Sequence, residues 1–400
     1  SAASDVYKRQ SVDSWIIDGK KVQSTQKPTI VSSTLTWEKV TTLDLGLDAR
    51  FFNDALGVTF DWYNRTTSDI LTTANLPATL GADAPYENMG TIQTKGWELA
   101  IDYRHTFKNG LHFGVTASVA DDKTEVTKWT YNTKIPSYGA TGWWDKSAYK
   151  EGMVLGDIWG LQFDRFLTED DFNADGSLKA GLPDQTKVFP AGYQFAPGDV
   201  LYKDLDNNGE IVKQTNTNDK GDLSVIGNAL PRLQFGLNLD AAWKGFDISM
   251  FFQGVAKRKL WAAGNQVLPG FTTGEPFYKG AEDYWTPENT DAFYPRPMDY
   301  KQSASGNYSV NDRYLLNMAY LRLKTFTVGY SLPKVWLSKF KVQGLRVYFT
   351  GENLFTIDGV KPAIDPEIGI RTASGKSDQR NFGRSYPYQK TVSFGIQLSL

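Results

Sequence analysis

The chain has 400 residues, a net charge of −2 and no cysteine. That excludes disulfides, thiol nucleophiles and Cys–zinc sites. Two histidines, His105 and His112, make a multi-histidine metal centre unlikely to be built, and the near-neutral balance lacks the basic stripe of a nucleic-acid binder. The mean hydropathy of −0.41, with no apolar run of about 18 residues, excludes helical membrane spans. It does not exclude a membrane β-barrel, whose strands average a lipid face with a wet face.

Ser1–Gln10 (SAASDVYKRQ) reads as a translated transposon sequencing adapter and is set aside as non-native, leaving 11–400 for fold reasoning. The first clear strand is Thr42–Phe51. Leu43, Leu45, Leu47, Ala49 and Phe51 point one way; Asp44, Gly46, Asp48 and Arg50 point the other. After a turn at 52–55, Leu56–Tyr63 alternates with Leu56, Val58, Phe60 and Trp62 on the apolar side. Trp97–Tyr103 follows, then Leu111–Val119 across the hairpin signal Asn109-Gly110. Leu233–Trp243 and Phe246–Phe252 flank Lys244-Gly245. Phe326–Leu332 and Leu345–Phe349 flank 333–340. Leu321 and Leu323 are out of phase with Phe326, Val328 and Tyr330, which predicts a bulge near Lys324-Thr325. Thr391–Leu400 closes the chain with Val392, Phe394, Ile396, Leu398 and Leu400 on one face.

Nine strands result. Short turns alternate with long segments at 67–94, 121–230, 255–312 and 356–390, the arrangement of an outer-membrane barrel with short periplasmic turns and long external loops. Aromatics fall near both ends: Phe51, Phe107, Trp243 and Trp336 at the short turns, and Trp62, Tyr63, Trp97 and Phe252 at the loops. The expected fold is all-β, an antiparallel transmembrane β-barrel in part. Asp44, Asp48, Arg50, Asp61, Glu98, Asp102 and Arg104 would line its wet lumen, where charges need no buried partner. The second reading is a soluble or surface glycan-binding or adhesion β protein. The environment of the Val392/Phe394/Ile396/Leu398 face separates the two.

Several stretches resemble SusC/RagA-type TonB-dependent transporters. They are LTWEKVTTLDLGLDARFFNDALGVTFDWYNRTTSDIL (Leu35–Leu71), NMGTIQTKGWELAIDY (Asn88–Tyr103), YKDLDNNGEI (Tyr202–Ile211), IGNALPRLQFGLNLDAAWKGFDISMFFQG (Ile226–Gly254), YLRLKTFTVGYSLP (Tyr320–Pro333), LRVYFTGENLFTI (Leu345–Ile357), DPE (Asp365–Glu367) and YPYQKTVSFGIQLSL (Tyr386–Leu400). The resemblance implies a Gram-negative outer-membrane barrel of about 22 strands with a plugged lumen. It implies import of oligosaccharides or peptides, a SusD-like surface lipoprotein as lid and energy from the TonB complex. It further implies that this chain is the C-terminal part, with the plug domain and the N-terminal strands outside it.

Asp204-Leu205-Asp206-Asn207-Asn208-Gly209-Glu210 has the spacing of half a calcium loop, in which alternate oxygen donors converge on a hard cation. Asp204, Asp206, Asn208 and Glu210 are candidate ligands for a structural Ca²⁺. Thr215 stands where an EF-hand needs its bidentate Glu, and the nearby acids are Asp219 and Asp222. Glu169-Asp170-Asp171 with Asn173–Gly176 reads as a charged surface loop. The long loops hold Trp129, Tyr131, Trp143, Trp144, Tyr149, Trp159, Trp261, Phe271, Phe277, Tyr284, Trp285 and Tyr294. Most are expected to pack a rigid crown; the pairs Trp143-Trp144 and Tyr284-Trp285 are candidates for stacking on sugar rings. No carboxylate pair, triad or dinucleotide fingerprint singles itself out, so no catalytic residue, required cofactor or nucleic-acid partner is expected.

Overall fold

The computed structural model describes residues 12–25, 35–73, 85–130, 149–216, 219–262, 264, 266–270, 277–298, 306–337, 342–361, 364–367 and 386–399. The adapter-like stretch lies outside them. The principal sheet contains β1 (Lys39–Phe51), β2 (Leu56–Thr73), β3 (Tyr86–Thr106), β4 (His112–Trp129), β5 (Arg232–Trp243), β6 (Phe246–Lys257), β7 (Tyr320–Ser331), β8 (Gly344–Glu352), β9 (Thr356–Asp358) and β10 (Thr391–Ser399). Its order is β1-β2-β3-β4-β5-β6-β7-β8-β10, with β9 on the loop-side end of β7. Every pairing is antiparallel. The sheet is open, with β1 and β10 as its edges among the described residues.

Every strand expected from alternation is present, and the turn-side ends agree to within a residue or so, except that β3 runs three residues past Tyr103 to Thr106. Trp243 pairs with Phe246 across Lys244-Gly245. Both turn residues have positive φ (48° and 89°), as a two-residue hairpin turn with the right twist requires. The bulge is also present. Phe251 faces Thr325 while Phe252 faces Leu323, so Lys324 is the extra residue.

The loop-side ends differ from expectation. β2 runs on to Thr73 and β3 begins at Tyr86, so the segment expected as a loop over 67–94 shrinks to 74–85. β4 likewise extends to Trp129. The added stretches, such as Asn64–Ser68 and Asp121–Glu125, are polar on both faces. Beyond the hydrocarbon, neither face needs to be apolar, so the period-2 signal ends while the hydrogen-bond ladder continues. A bulge at Asp69 (φ 59°) sits in the extension of β2.

The register places the apolar side chains of successive strands opposite one another. One row runs Leu47–Phe60–Leu99–Val119–Phe235. Another runs Phe113–Ala241–Ile248–Val328–Phe349–Phe394. Among the described residues no second layer covers this face: Leu43, Leu45, Leu47, Val392, Ile396 and Leu398 are exposed, and Phe394 is 81% exposed. An apolar face of this extent is matched to hydrocarbon, which a soluble sheet would have to replace with a packed layer. Phe51, Phe107, Trp243 and Trp336 are exposed at the short-turn end, as an interfacial girdle requires. Tyr63 is at the loop-side level but on the opposite face, stacked over Gly96.

The dry core lies in the long connections. One cluster joins Ile158, Leu260, Trp261, Leu268, Tyr294, Tyr308, Tyr314 and Met318. A second joins Leu161, Phe166, Val188, Val200, Tyr202, Ile211, Leu223 and Trp285. The wall is therefore held by its hydrogen-bond ladder and by lipid, while the crown is held by ordinary hydrophobic packing.

Phe60 tests the assignment of the apolar face. Phe60→Arg should cost about 2–4 kcal/mol in the folding equilibrium of the intact barrel in lipid vesicles, and Phe60→Leu far less. Equal effects of the two substitutions would contradict a lipid-facing position.

Candidate functional site: the polar face and the loop crown

The residues opposite the apolar face share their own rows. Asp44 lies opposite Tyr63, Asp48 opposite Thr59, and Arg50 opposite Gly57. Asp61 lies opposite Glu98, Gly57 opposite Asp102, and Arg104 opposite Gly114. All seven sequence-predicted charges thus fall on one face. A hollow of about 500 Å³ lies against it, lined in part by Asp61, Glu98, Ser118, Gln234 and Gln253.

A recurrent device organises this face. Arg50 Nη1 donates to Asp102 Oδ2 at 2.8 Å, spanning β2 at Gly57, where a Cβ would come within 2.4 Å of both partners. Arg346 of β8 reaches Asp247 of β6 in the same way across Gly329 of β7, with Nε to Oδ1 at 3.0 Å. The glycines leave room for charged groups two strands apart to meet. Tyr63 over Gly96 and Tyr348 over Gly395 are the aromatic equivalents. Asp240 lies over Gly114 and approaches His112 Nε2 at 3.5 Å; His112 Nδ1 is 3.2 Å from Thr106 Oγ1. His105 is on the other face, between the rings of Tyr103 and Phe107. Both histidines stand at the short-turn end, remote from the crown.

The crown carries its own polar framework. Asp199 is fully buried and accepts from Arg296 Nε at 2.7 Å, Tyr193 OH at 2.8 Å, Asn307 Nδ2 at 2.9 Å and the Ala196 amide at 2.9 Å. Burial, and then the neighbouring carboxylate, push the Tyr193 hydroxyl well above its usual range. The guanidinium of Arg313 lies over the rings of Phe163, Phe166 and Phe293 and donates to the Phe293 and Ala292 carbonyls. Of the loop aromatics, Trp129, Tyr149, Trp261, Trp285 and Tyr294 are buried, and Trp159 packs against the second cluster. Only Tyr284 of its pair is exposed, since Trp285 is packed over Gly198. Phe277 is exposed. Tyr131, Trp143, Trp144 and Phe271 lie outside the described residues.

The calcium-like loop is reorganised relative to expectation. The carboxylates of Asp204, Asp206 and Asp222 lie within 4.8 Å of one another. Glu210 is instead paired with Lys187, and Asn208 bridges Asp206 to the Glu210 amide. A short hairpin, Lys213–Asn216 with Asp219–Gly221, returns the chain and delivers Asp222. Its two oxygens accept the Leu205 and Val212 amides, both at 2.8 Å. Asp204 Oδ2 accepts the Gly209 amide, but Asp204 Oδ1 is buried with no hydrogen-bond partner. An orphaned carboxylate oxygen beside two other carboxylates fits a hard cation. The other acidic patch does not form such a site: Arg165 holds Asp171 through two hydrogen bonds of 2.6 and 2.7 Å, and Asp170 and Glu169 are exposed.

That pair makes the crown sensitive to acid. Arg165, and beside it the Thr168 amide, hold the Asp171 carboxyl down at about 2. A carboxyl depressed on folding stabilises above its unfolded value near 4 and loses that contribution as the pH falls towards 2. Arg165→Ala should shift acid-induced exposure of the crown, followed by tryptophan fluorescence, to higher pH. No shift would show that the pair contributes nothing to the crown's stability.

Residues 2–195 match the family model described as TonB dependent receptor-like, beta-barrel. The chain is 27% identical over 395 residues to TonB-dependent receptor P3 of Formosa agariphila, covering 96% of this chain and 36% of that protein. It is 24% identical over 391 residues to TonB-dependent receptor SusC of Bacteroides thetaiotaomicron, covering 96% and 34%. In fold it is similar to the RagAB peptide importer in its open-open state, with a TM-score of 0.67 at 20% identity over 98% of this chain and 38% of that one. The chain spans about a third of the length of these relatives. The uncovered apolar face, the charged opposite face, the alternation of tight turns with long packed loops and these likenesses together mark the chain as part of an outer-membrane β-barrel similar to that of the SusC/RagA-type TonB-dependent receptors.

Proposed function

We propose that the protein carrying this segment imports oligosaccharides or peptides across the outer membrane, driven through TonB and assisted by a SusD-like lipoprotein at the loop side. The observation that carries this reading is the two-faced, register-locked sheet. Its apolar face suits lipid, and its opposite face gathers Asp44, Asp48, Asp61 and Glu98, as a wet interior would allow. The crown would stand where cargo enters, and Phe277, Tyr278 and Tyr284 are exposed aromatic side chains on it. The named relatives include a peptide importer, which supports cargo of that class as much as glycan.

The test is deletion of the intact gene in its host. Growth on one class of oligosaccharide or oligopeptide should be lost and restored by the wild-type gene. Restoration should fail in a strain without TonB. Unchanged growth on every such source would sink the reading.

We also propose that Asp204, Asp206 and Asp222 hold a Ca²⁺ that stiffens the crown. The buried, partnerless Asp204 Oδ1 supports it. Adding Ca²⁺ to the chelated protein should slow proteolysis of the crown, and Asp204→Ala should abolish that response. Equal cleavage with calcium and with chelator would remove the ion from the account.

A further inference from the structure

The Asp365-Pro366-Glu367 stretch is prominent in the sequence, yet neither the barrel wall nor the transport reading gives it a task. The structure shows it gripping the loop-side end of β7. Arg322 projects from the polar face, only 4% of its side chain is exposed, and all three guanidinium nitrogens are engaged. Nη2 donates to Asp365 Oδ1 at 2.7 Å, Nε to Thr356 Oγ1 at 2.8 Å, and Nη1 pairs with Glu367. Lys324 Nζ meets Glu367 Oε1 at 2.8 Å, and Tyr320 OH donates to the same oxygen at 2.9 Å. From the far flank, the Tyr388 amide donates to Asp365 Oδ2 at 3.0 Å, and its ring covers Arg322 and Lys324. Asn353 Nδ2 donates to the Gln389 carbonyl. Arg258 donates to the Pro366 and Ala229 carbonyls, which ties in the connection preceding β5.

We propose that this cluster is a two-ended clamp. It fastens the chain on both sides of residues 368–385 to the polar face of the wall, and the β7 bulge exists to arm it. Strict alternation carried back from Phe326 would turn both Lys324 and Arg322 to the apolar face, and the extra residue turns both to the polar face instead. The bulge thus brings both cations to the two anions, and the four charges balance. Balance also makes the clamp cooperative: removing one carboxylate leaves the buried Arg322 cation short of a partner. Asp365 and Glu367 are therefore positioning residues that set where the chain leaves and rejoins the wall.

Hydrogen exchange followed by mass spectrometry on the full-length protein in detergent tests this. Glu367→Gln and Asp365→Asn should each speed exchange in the peptide containing Tyr388 by about tenfold or more. The β2–β4 peptides should be unaffected. Lys324→Met, which removes only the better-exposed cation, should give a smaller acceleration in the same peptide and keeps the test available if the carboxylate variants fail to insert. Wild-type exchange at Tyr388 in Lys324→Met, or in either carboxylate variant that inserts, would overturn the clamp. So would acceleration spread evenly over the whole barrel.

Discussion

The structure depends on one constraint: backbone polar groups facing hydrocarbon have no water to bond, so each strand must satisfy its neighbour. Antiparallel pairing of adjacent strands meets the demand with the shortest turns, and period 2 then decides everything about the two faces. A register slip of one residue between any two strands would move charges such as Asp61 or Glu98 to the lipid side. The continuous apolar rows from Leu47 to Phe235 and from Phe113 to Phe394 are the record of that requirement being met strand after strand.

The same constraint divides the molecule energetically. The wall buries little apolar surface within the protein, so its packing residues are small or bridged. Glycines at 57, 96, 329 and 395 admit an arginine or a tyrosine from a neighbouring strand. The crown works by the opposite rule. Its long connections could not stand in water without a core of their own, and they contain one, built around Tyr202, Tyr314, Trp261 and Trp285. Its buried charges are paired, as Asp199 is with Arg296. The two regions meet where β7 bulges and the Asp365–Glu367 segment engages Arg322 and Lys324.

Much of the wall was legible because the lipid imposes a pattern that a reader can see. Alternation located nine strands, the Lys244-Gly245 turn and the bulge at Lys324, where two in-phase runs fail to join. Legibility stopped where the lipid stopped. The polar extensions of β2, β3 and β4 obey the hydrogen-bond ladder but no hydropathy rule, and they read as loop. The candidate cation site was half legible. Asp204 and Asp206 are close in sequence, but Asp222 arrives through a hairpin, and Glu210 is withdrawn by Lys187 from a different segment.

By itself, then, the sequence determined nine of the ten strands of the sheet, missing only the short β9, together with the face each of the nine shows to lipid and the alternation of short and long connections, because these follow from local period and turn chemistry. It also carried the likeness to the TonB-dependent receptors. Only the tertiary structure decided which loop aromatics are core and which are exposed, which charges pair across a glycine, and what the Asp365–Glu367 segment grips. Those outcomes depend on contacts between residues tens of positions apart, and no local pattern encodes such contacts.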